Sequence, residues 1–348
     1  MYRLIAIQTT SDLIPGLNPN WEQMAQCDGL PLLDPQLLKR HAPDAHWVLL
    51  QDQCIAGHCS LWWREVPPDP RAALGLIGHY NVRDGEAAQI LLDHACEQLA
   101  QQGCAIAIAP MDGNTWQPYR LLSQRGSEPS FFLEPDNPDQ WCDQFRAAGF
   151  TPLANYSSAL NPHLVADPMQ LDPRLSAVSD RLYHAGIRVR SLLNPQSFES
   201  ELKRIHQLAL ISFRRNVLYT PISQAEFIAQ YSQIQPYIAP ELVLLAKHHE
   251  QLVGFLFAIP DLLQVKRGEP INTIIIKTVA VLPGRIYAGL GNLLVAQVQA
   301  IAHQRGYTRA IHALMHSANH STNLSQRYAQ TIRGYTLYEK RIKEKTLS

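Results

Sequence analysis

The sequence predicts an α/β protein of two tandem domains, each a mixed, twisted β-sheet flanked by helices. Three observations predict it. The chain has 348 residues, more than one small core organises. The order of apolar elements between His46 and Asn161 recurs from Glu241 onward. In both copies short strand-like runs surround one long amphipathic helix, the pattern of a layered α/β domain.

The first element of each copy is a hairpin. HWVLLQDQCIAGHCSLWW, from His46, and ELVLLAKHHEQLVGFLFA, from Glu241, each show an apolar strand, a polar turn, a glycine (Gly57 or Gly254) and a second apolar strand. A third strand follows, ALGLIGHYNV or TIIIKTVAVLP, and then a helix. In GEAAQILLDHACEQLAQQG the residues Ala88, Leu91, Leu92, Ala95 and Leu99 share one face; in YAGLGNLLVAQVQAIAHQRG it is Leu290, Leu294, Val298 and Ile301. Both helices run out at a glycine, Gly103 and Gly306. An apolar strand follows each, then a short helix, a Gly-aromatic pair (Gly149–Phe150, Gly334–Tyr335) and a closing strand. Pro162, Pro168 and Pro173 crowd the segment between the copies, which reads as a linker that interrupts helix and strand, dividing domains 1–165 and 166–348. Two helical stretches, SFESELKRIHQLALISFRRN and SQAEFIAQYSQIQPYI, precede the second hairpin; the first copy has a looser counterpart between Thr10 and Leu38.

Composition excludes several function classes. Hydrophobic residues at 46% and charged residues at 17% fit a globular chain. Lys plus Arg and Asp plus Glu balance at 30 each, so no net field gathers nucleic acid or an anionic membrane, and neither is expected as a partner. MYRLIAIQTTSDL lacks a signal-peptide pattern and LVGFLFAI is far short of the ~20 apolar residues that span a bilayer, so a cytoplasmic location is expected. Six cysteines (Cys27, Cys54, Cys59, Cys96, Cys104, Cys142) show no C-x-x-C pair and read as buried free thiols.

The segment VAVLPGRIYAGLGNLLVAQV, from Val279, carries the most chemistry. A buried strand enters a glycine-rich turn that opens a helix, and the free N–H groups of a helix start form an anion site. Gly289 and Gly291 remove the Cβ atoms that would hold a phosphate off. A Walker loop would need Lys-Ser/Thr after Gly289, where Leu290 and Gly291 stand, and G-x-G-x-x-G is absent. The segment instead resembles the acyl-CoA loop of the GNAT (GCN5-related N-acetyltransferase) superfamily, V-x-P-x-x-[RQ]-x-x-G-x-[GA], matched by Val281, Pro283, Gly289 and Gly291. Ile286 occupies the Arg/Gln position, with Arg285 displaced by one.

The resemblance implies acetyl-CoA, or another acyl-CoA, as co-substrate and no metal. It implies that Ile286, Tyr287, Ala288, Gly289, Leu290, Gly291 and Asn292 face the pyrophosphate and that the backbone of Val279 and Val281 pairs with pantetheine. The final stretch NLSQRYAQTIRGYTLYEK resembles the family's last helix, with Asn323 and Gly334–Tyr335 in register. Gln330 replaces the tyrosine that protonates the leaving thiolate, leaving Tyr328, two residues earlier, as the candidate acid. The strand NTIIIKTVAVL holds no carboxylate to act as base, so His316 is the nearest candidate; with His312 it would face one side of a strand. His312, His316 and His320 have metal-like spacing on a helix, but AIHALM reads as strand. His248–His249 read as an exposed turn.

In the first copy the loop NVRDGEAAQ has only Gly85, flanked by Asp84 and Glu86, and Phe145 stands at the tyrosine position, so that domain reads as a degenerate lobe. The loop Pro110–Pro138, with Trp116, Tyr119, Arg120, Phe131 and Phe132, reads as a cap on its own domain's core or, with facing lobes, part of an acceptor pocket. Together these imply transfer of an acyl group to a primary amine, small molecule or peptide, by direct attack in a ternary complex, in a monomer or weak homodimer. The alternatives are a non-catalytic CoA-binding or regulatory module and an aminoacyl-tRNA-dependent transferase, which would want a basic groove.

Overall fold

The pattern of the first hairpin becomes strands β2 (Ala45–Gln51) and β3 (Cys54–Trp62), joined across Asp52 and Gln53, both at positive φ (49° and 74°). Two such residues give the turn the twist that antiparallel strands need. This computed structural model describes residues 1–7, 30–31, 33–192, 198–317 and 329–342. Around that hairpin lie β1 (Tyr2–Ile7), α1 (Pro35–His41), β4 (Leu74–Val82), α2 (Gly85–Gln101), β5 (Ile106–Ala109), β6 (Leu121–Gln124), α3 (Gln140–Ala147) and β7 (Thr151–Asn161). The second copy has β8 (Ile187–Ser191), α6 (Phe198–Ser212), α7 (Gln224–Ile234), β9 (Val243–His248), β10 (Gln251–Pro260), α8 (Leu263–Lys266), β11 (Thr273–Val281), α9 (Leu290–Gln304), β12 (Arg309–His316) and β13 (Gln330–Arg341). Helices α4 (Pro168–Leu171) and α5 (Pro173–His184) join the copies. No described helix is long and apolar enough to cross a membrane.

The proline-rich linker is therefore helical, contrary to expectation. Pro168 and Pro173 stand in the first turn of their helices, where a missing N–H costs nothing, and Asp167 and Asp172 cap them through Met169 N and Arg174 N (2.9 and 3.0 Å). The pattern Asp-Pro marks a helix start here.

One sheet runs through the molecule in the order β1-β2-β3-β4-β5-β13-β7-β12-β11-β10-β9-β8, with β6 also pairing β13. The closing strands are exchanged between the copies. β13 lies antiparallel to β5 (Tyr338 opposite Ala109), and β7 lies antiparallel to β12 (Ala159 opposite His312). Tyr338 and Ile342 accordingly join the first core with Leu91, Leu99 and Phe145, and the Tyr338 ring stacks on Phe145 at 5.8 Å. The stretch read as the end of a last helix, from Gln330 on, is thus strand. A fragment ending at residue 165 lacks β13, one of the two neighbours of β5; we expect it to show no cooperative thermal transition by circular dichroism. A sharp transition would contradict the exchange.

The helix faces fall as predicted: Ala88, Leu91, Leu92, Ala95 and Leu99 are buried on α2, and Leu290, Leu294 and Val298 on α9, with Ile301 partly buried. The long-loop aromatics divide: Tyr119 packs with Trp62, Leu76 and Met111 of its own copy, and Trp116, Phe131 and Phe132 reach the second. Phe131 is buried in the second core, and Trp116 packs on Phe213, Tyr219 and Phe227 while its Nε1 donates to Thr220 O (2.8 Å). Cys59, Cys96, Cys104 and Cys142 are buried free thiols, but Cys54, at the less buried start of β3, is disulfide-bonded, contrary to expectation.

Candidate active site

β11 and β12 pair in parallel only from Thr273–Arg309 to Ile276–His312. Beyond that pair they separate. β12 bulges, its register against β7 shifting between His312 and Met315, with Leu314 at φ 59°. Ser158 Oγ accepts from Leu314 N (3.0 Å), which fixes the bulge. β11 continues to Val281 along β10, with Val279 opposite Leu256 and Val281 opposite Gly254. The result is a wedge between two strands of one sheet, with one edge of β11 unclaimed by any described strand.

The glycine turn closes this wedge. Gly289 takes φ 82°, a left-handed value that favours glycine, and caps α9 with no side chain. A Cβ there would come within 2.9 Å of Val178 Cγ1 on α5. At Gly291 a Cβ would meet only Val279 Cγ1 (3.7 Å) and Val281 Cγ2 (3.9 Å), so that position is roomy. The N–H groups of Leu290, Gly291 and Asn292 open the helix, where no intrahelical carbonyl reaches them. The Leu290 side chain is fully buried, so only its backbone serves the turn. Ile286 is 42% exposed and its carbonyl accepts from Arg181 Nη1 (3.2 Å); Ala288 O accepts from Arg181 Nη2. Arg181 thus brings a guanidinium to the loop beside Ile286, which stands where the acyl-CoA pattern has Arg or Gln. Tyr287 Oη contacts His248 Nδ1 (3.3 Å), so His248 is half-buried against the loop, not exposed in a turn. Val281 O accepts from Ser212 Oγ (3.1 Å), which occupies one of the backbone groups assigned to pantetheine. Asn323, Tyr328 and His320 lie outside the described residues.

The first copy has the same parts, closed. β4 and β5 pair from Leu74–Ile106 to Leu76–Ile108, and then the chain fills its own wedge: Met111 N donates to Ile77 O (2.9 Å) and His79 N to Asp112 Oδ1 (2.6 Å). A Cβ at Gly78 would lie 2.3 Å from Met111 O. The start of α2 is already capped, by Asp84 Oδ1 accepting from Ala87 N (2.9 Å). A carboxylate therefore sits where a phosphate would have to bind.

Polar groups gather on the wedge side that faces α6, α7 and the long loop. Lys277 is the first residue of β11 past its last partner, and its Nζ donates to Leu133 O (2.9 Å). Desolvation of this half-buried side chain, with the Arg120 guanidinium adding to it, pushes the amine down to about 7. Next in the loop, Glu134 Oε1 accepts from Arg333 Nε (3.0 Å) and Tyr335 Oη (2.5 Å), and burial still pushes its carboxyl upward. Tyr335 Oη also meets Ser158 Oγ at 3.1 Å. Arg120 is held between the rings of Tyr119 and Tyr156, 4.1 Å from each centroid. His316 lies edge-on to Tyr156 at 5.0 Å, and burial followed by Arg120 lowers its pKa. His312 instead meets Gln299 of α9 (Nε2 to Nε2, 3.1 Å), and burial pushes it down to about 4. The bulge adds a residue between them, so the expectation that both histidines share a side fails. Lys277 and Glu134 escaped the sequence reading. Lys277 is the lone charge in TIIIKTVAV, a usable signal; nothing in FFLEPD says that Glu134 reaches the other copy.

No protein-family model matches the chain, and no curated protein matches it. Solved structures share its fold. One is the GCN5-related glucosamine N-acetyltransferase region of a fungal multi-domain GH3 β-N-acetylglucosaminidase, with TM-score 0.54 and 14% identity over 98% of this chain and 38% of that one. This chain therefore spans 38% of that protein's length. A GCN5-related N-acetyltransferase from Anabaena variabilis gives TM-score 0.51 at 12% identity, covering 98% and 73% of the two chains. A conserved protein of Enterococcus faecalis, described as a probable N-acyltransferase, gives 0.50 at 10%, covering 99% and 74%. With its own sheet repeating one strand-and-helix order in both halves, the chain has the tandem fold of the GCN5-related N-acetyltransferases.

Proposed function

We propose that the second copy moves an acyl group from acyl-CoA to a primary amine in a ternary complex. The observation that carries this is the contrast between the copies: the wedge and helix start are open in the second and filled by the chain itself in the first. The pyrophosphate rests on the N–H groups of Gly289–Asn292, and the pantetheine arm runs along β11 past Val279. The acceptor comes from the side of the long loop. Its amine attacks the thioester carbonyl, and neutral Lys277 takes the proton, a base role that a lysine reaches only when burial lowers its pKa. Tyr328 or His316 is left to protonate the departing sulfur. A small-molecule or peptide amine is the expected acceptor, and neither nucleic acid nor membrane has a part.

Lys277→Gln is expected to lower kcat roughly 100-fold with little change in KM for acetyl-CoA, the scale of a lost general base. The sign of the pH dependence is set by the neutral form. Below about 7 Lys277 is protonated and inactive, so kcat/KM rises tenfold per pH unit there and levels above it. Steady-state kinetics across pH checks both; an unchanged profile in Lys277→Gln would remove Lys277 from the mechanism. A second reading, a CoA-binding module without turnover, draws on Glu134, whose carboxylate is spent on Arg333 and Tyr335. It predicts binding of acetyl-CoA with no thiol released in the presence of amines.

A further inference from the structure

The closed wedge of the first copy holds a cluster that the acyltransfer reading does not use. His79, on β4 at φ 45°, sends its two ring nitrogens to different partners. Nδ1 meets Ser60 Oγ at 2.8 Å, and Ser60 Oγ meets His46 Nδ1 at 2.8 Å. Nε2 lies 2.8 Å from His41 Nδ1, at the end of α1, and 3.7 Å from Asp112 Oδ2. Trp62 Nε1 donates to His41 O (2.8 Å), which holds that residue in place. Asp112 Oδ1 is taken by His79 N, so its second oxygen is the one turned to the imidazole. His41 Nδ1, His79 Nε2 and an Asp112 oxygen all lie within 4.8 Å of one another.

Counting protons gives two arrangements, one of which turns a lone pair of His79 toward His41 and Asp112. Ser60 has one hydroxyl proton and faces two imidazoles, so it donates to one and accepts from the other. If it donates to His46 Nδ1, it accepts from His79 Nδ1–H, and His79 Nε2 is then a lone pair. That lone pair faces a second imidazole nitrogen and a carboxylate.

We propose that His41 Nδ1, His79 Nε2 and Asp112 Oδ2 bind one divalent transition-metal ion of the zinc class, with water in the remaining position. Two imidazoles and a carboxylate suit a borderline cation in tetrahedral geometry. Bonds of ~2.1 Å at tetrahedral angles set neighbouring ligands roughly 3.4 Å apart, and the observed 2.8 and 3.7 Å bracket that value. Ser60 holds the orientation of His79 from the opposite ring nitrogen, the place of an outer partner. This departs from the expectation of no metal. The ligands stand 38 and 33 residues apart along the chain, so no motif spacing announces them. The ion would tie α1 to the base of the long loop, whose Trp116 packs in the second core.

The test uses the full chain, stripped with a chelator and titrated with Co²⁺ and then Zn²⁺. The expected result is one equivalent bound, with visible Co²⁺ bands of tetrahedral intensity that Zn²⁺ abolishes, and a higher Tm on loading. Asp112→Asn keeps the acceptor for His79 N and is expected to lose the bands and at least tenfold in affinity, as is His41→Gln, with native circular dichroism confirming that each variant folds. Ser60→Ala, an outer-partner change, should weaken binding by roughly 10- to 100-fold. Failure of the native chain to bind one equivalent overturns the proposal, as does native-strength binding in Asp112→Asn and His41→Gln. Acetyl-CoA binding plays no part in these readouts, so they stand apart from the acyltransfer reading.

Discussion

Arg333→Ala is expected to cost about 3–5 kcal/mol of folding stability, the scale of leaving a buried charge without its partner. Both side chains of the Arg333–Glu134 pair are 0% exposed, with Nε 3.0 Å from Oε1. The rest of the guanidinium is satisfied too: Nη1 donates to Arg125 O and Nη2 to Glu128 O. All three partners lie in the first copy's long loop, and Arg333 lies on β13, so the pair bridges the exchanged strand and the loop. Removing Arg333 leaves the Glu134 carboxylate without its counter-charge, held only by Tyr335 Oη and Phe131 N, and takes the guanidinium donor from two carbonyls. Replacing both charges, as in Arg333→Met with Glu134→Gln, should recover a large part of the loss, because the desolvation cost of the ions disappears with them. Urea unfolding of the single and double variants checks this. A loss under ~1 kcal/mol in Arg333→Ala would place the pair in the class of exposed bridges.

Gly291→Glu is expected to weaken acetyl-CoA binding about 100-fold, close to 2.7 kcal/mol, by setting a carboxylate against the pyrophosphate at the start of α9. The position isolates electrostatics from strain. Its Cβ would find ordinary contacts at 3.7 and 3.9 Å, whereas one at Gly289 would press on Val178 at 2.9 Å in a left-handed backbone. Gly85→Glu is the matched control at the start of α2, where a Cβ meets nothing within 4 Å. It should leave affinity unchanged, because Asp84 already fills that helix start. Calorimetry of the two variants decides. Equal losses in both, or a loss only in Gly85→Glu, would put the donor elsewhere.

The repeat was legible because each copy keeps its own local pattern: a hairpin, a third strand and a helix with a clean apolar face. The acyl-CoA turn was legible for the same reason, since Gly289 and Gly291 act through the backbone of a few contiguous residues. The exchange of β7 and β13 was not. Strand alternation says which side chains point inward and nothing about which strand lies alongside, and Tyr338 would look equally apolar in either core. The Asp-Pro pairs at Asp167 and Asp172 were read as breaks, although proline in the first turn after an aspartate is a helix start. Glu134 illustrates the wider limit. The missing strand carboxylate has a counterpart near the wedge, but it comes from the other copy and is tied to Arg333 there, a placement that only the closed fold creates.

The central claim is that the donor enters the β11–β12 wedge of the second copy. Hydrogen–deuterium exchange with and without acetyl-CoA tests it directly. The account predicts new protection at residues 277–281 and 289–293 and none at residues 78–87. Protection at 78–87 instead, or no protected segment at saturating acetyl-CoA, would contradict it.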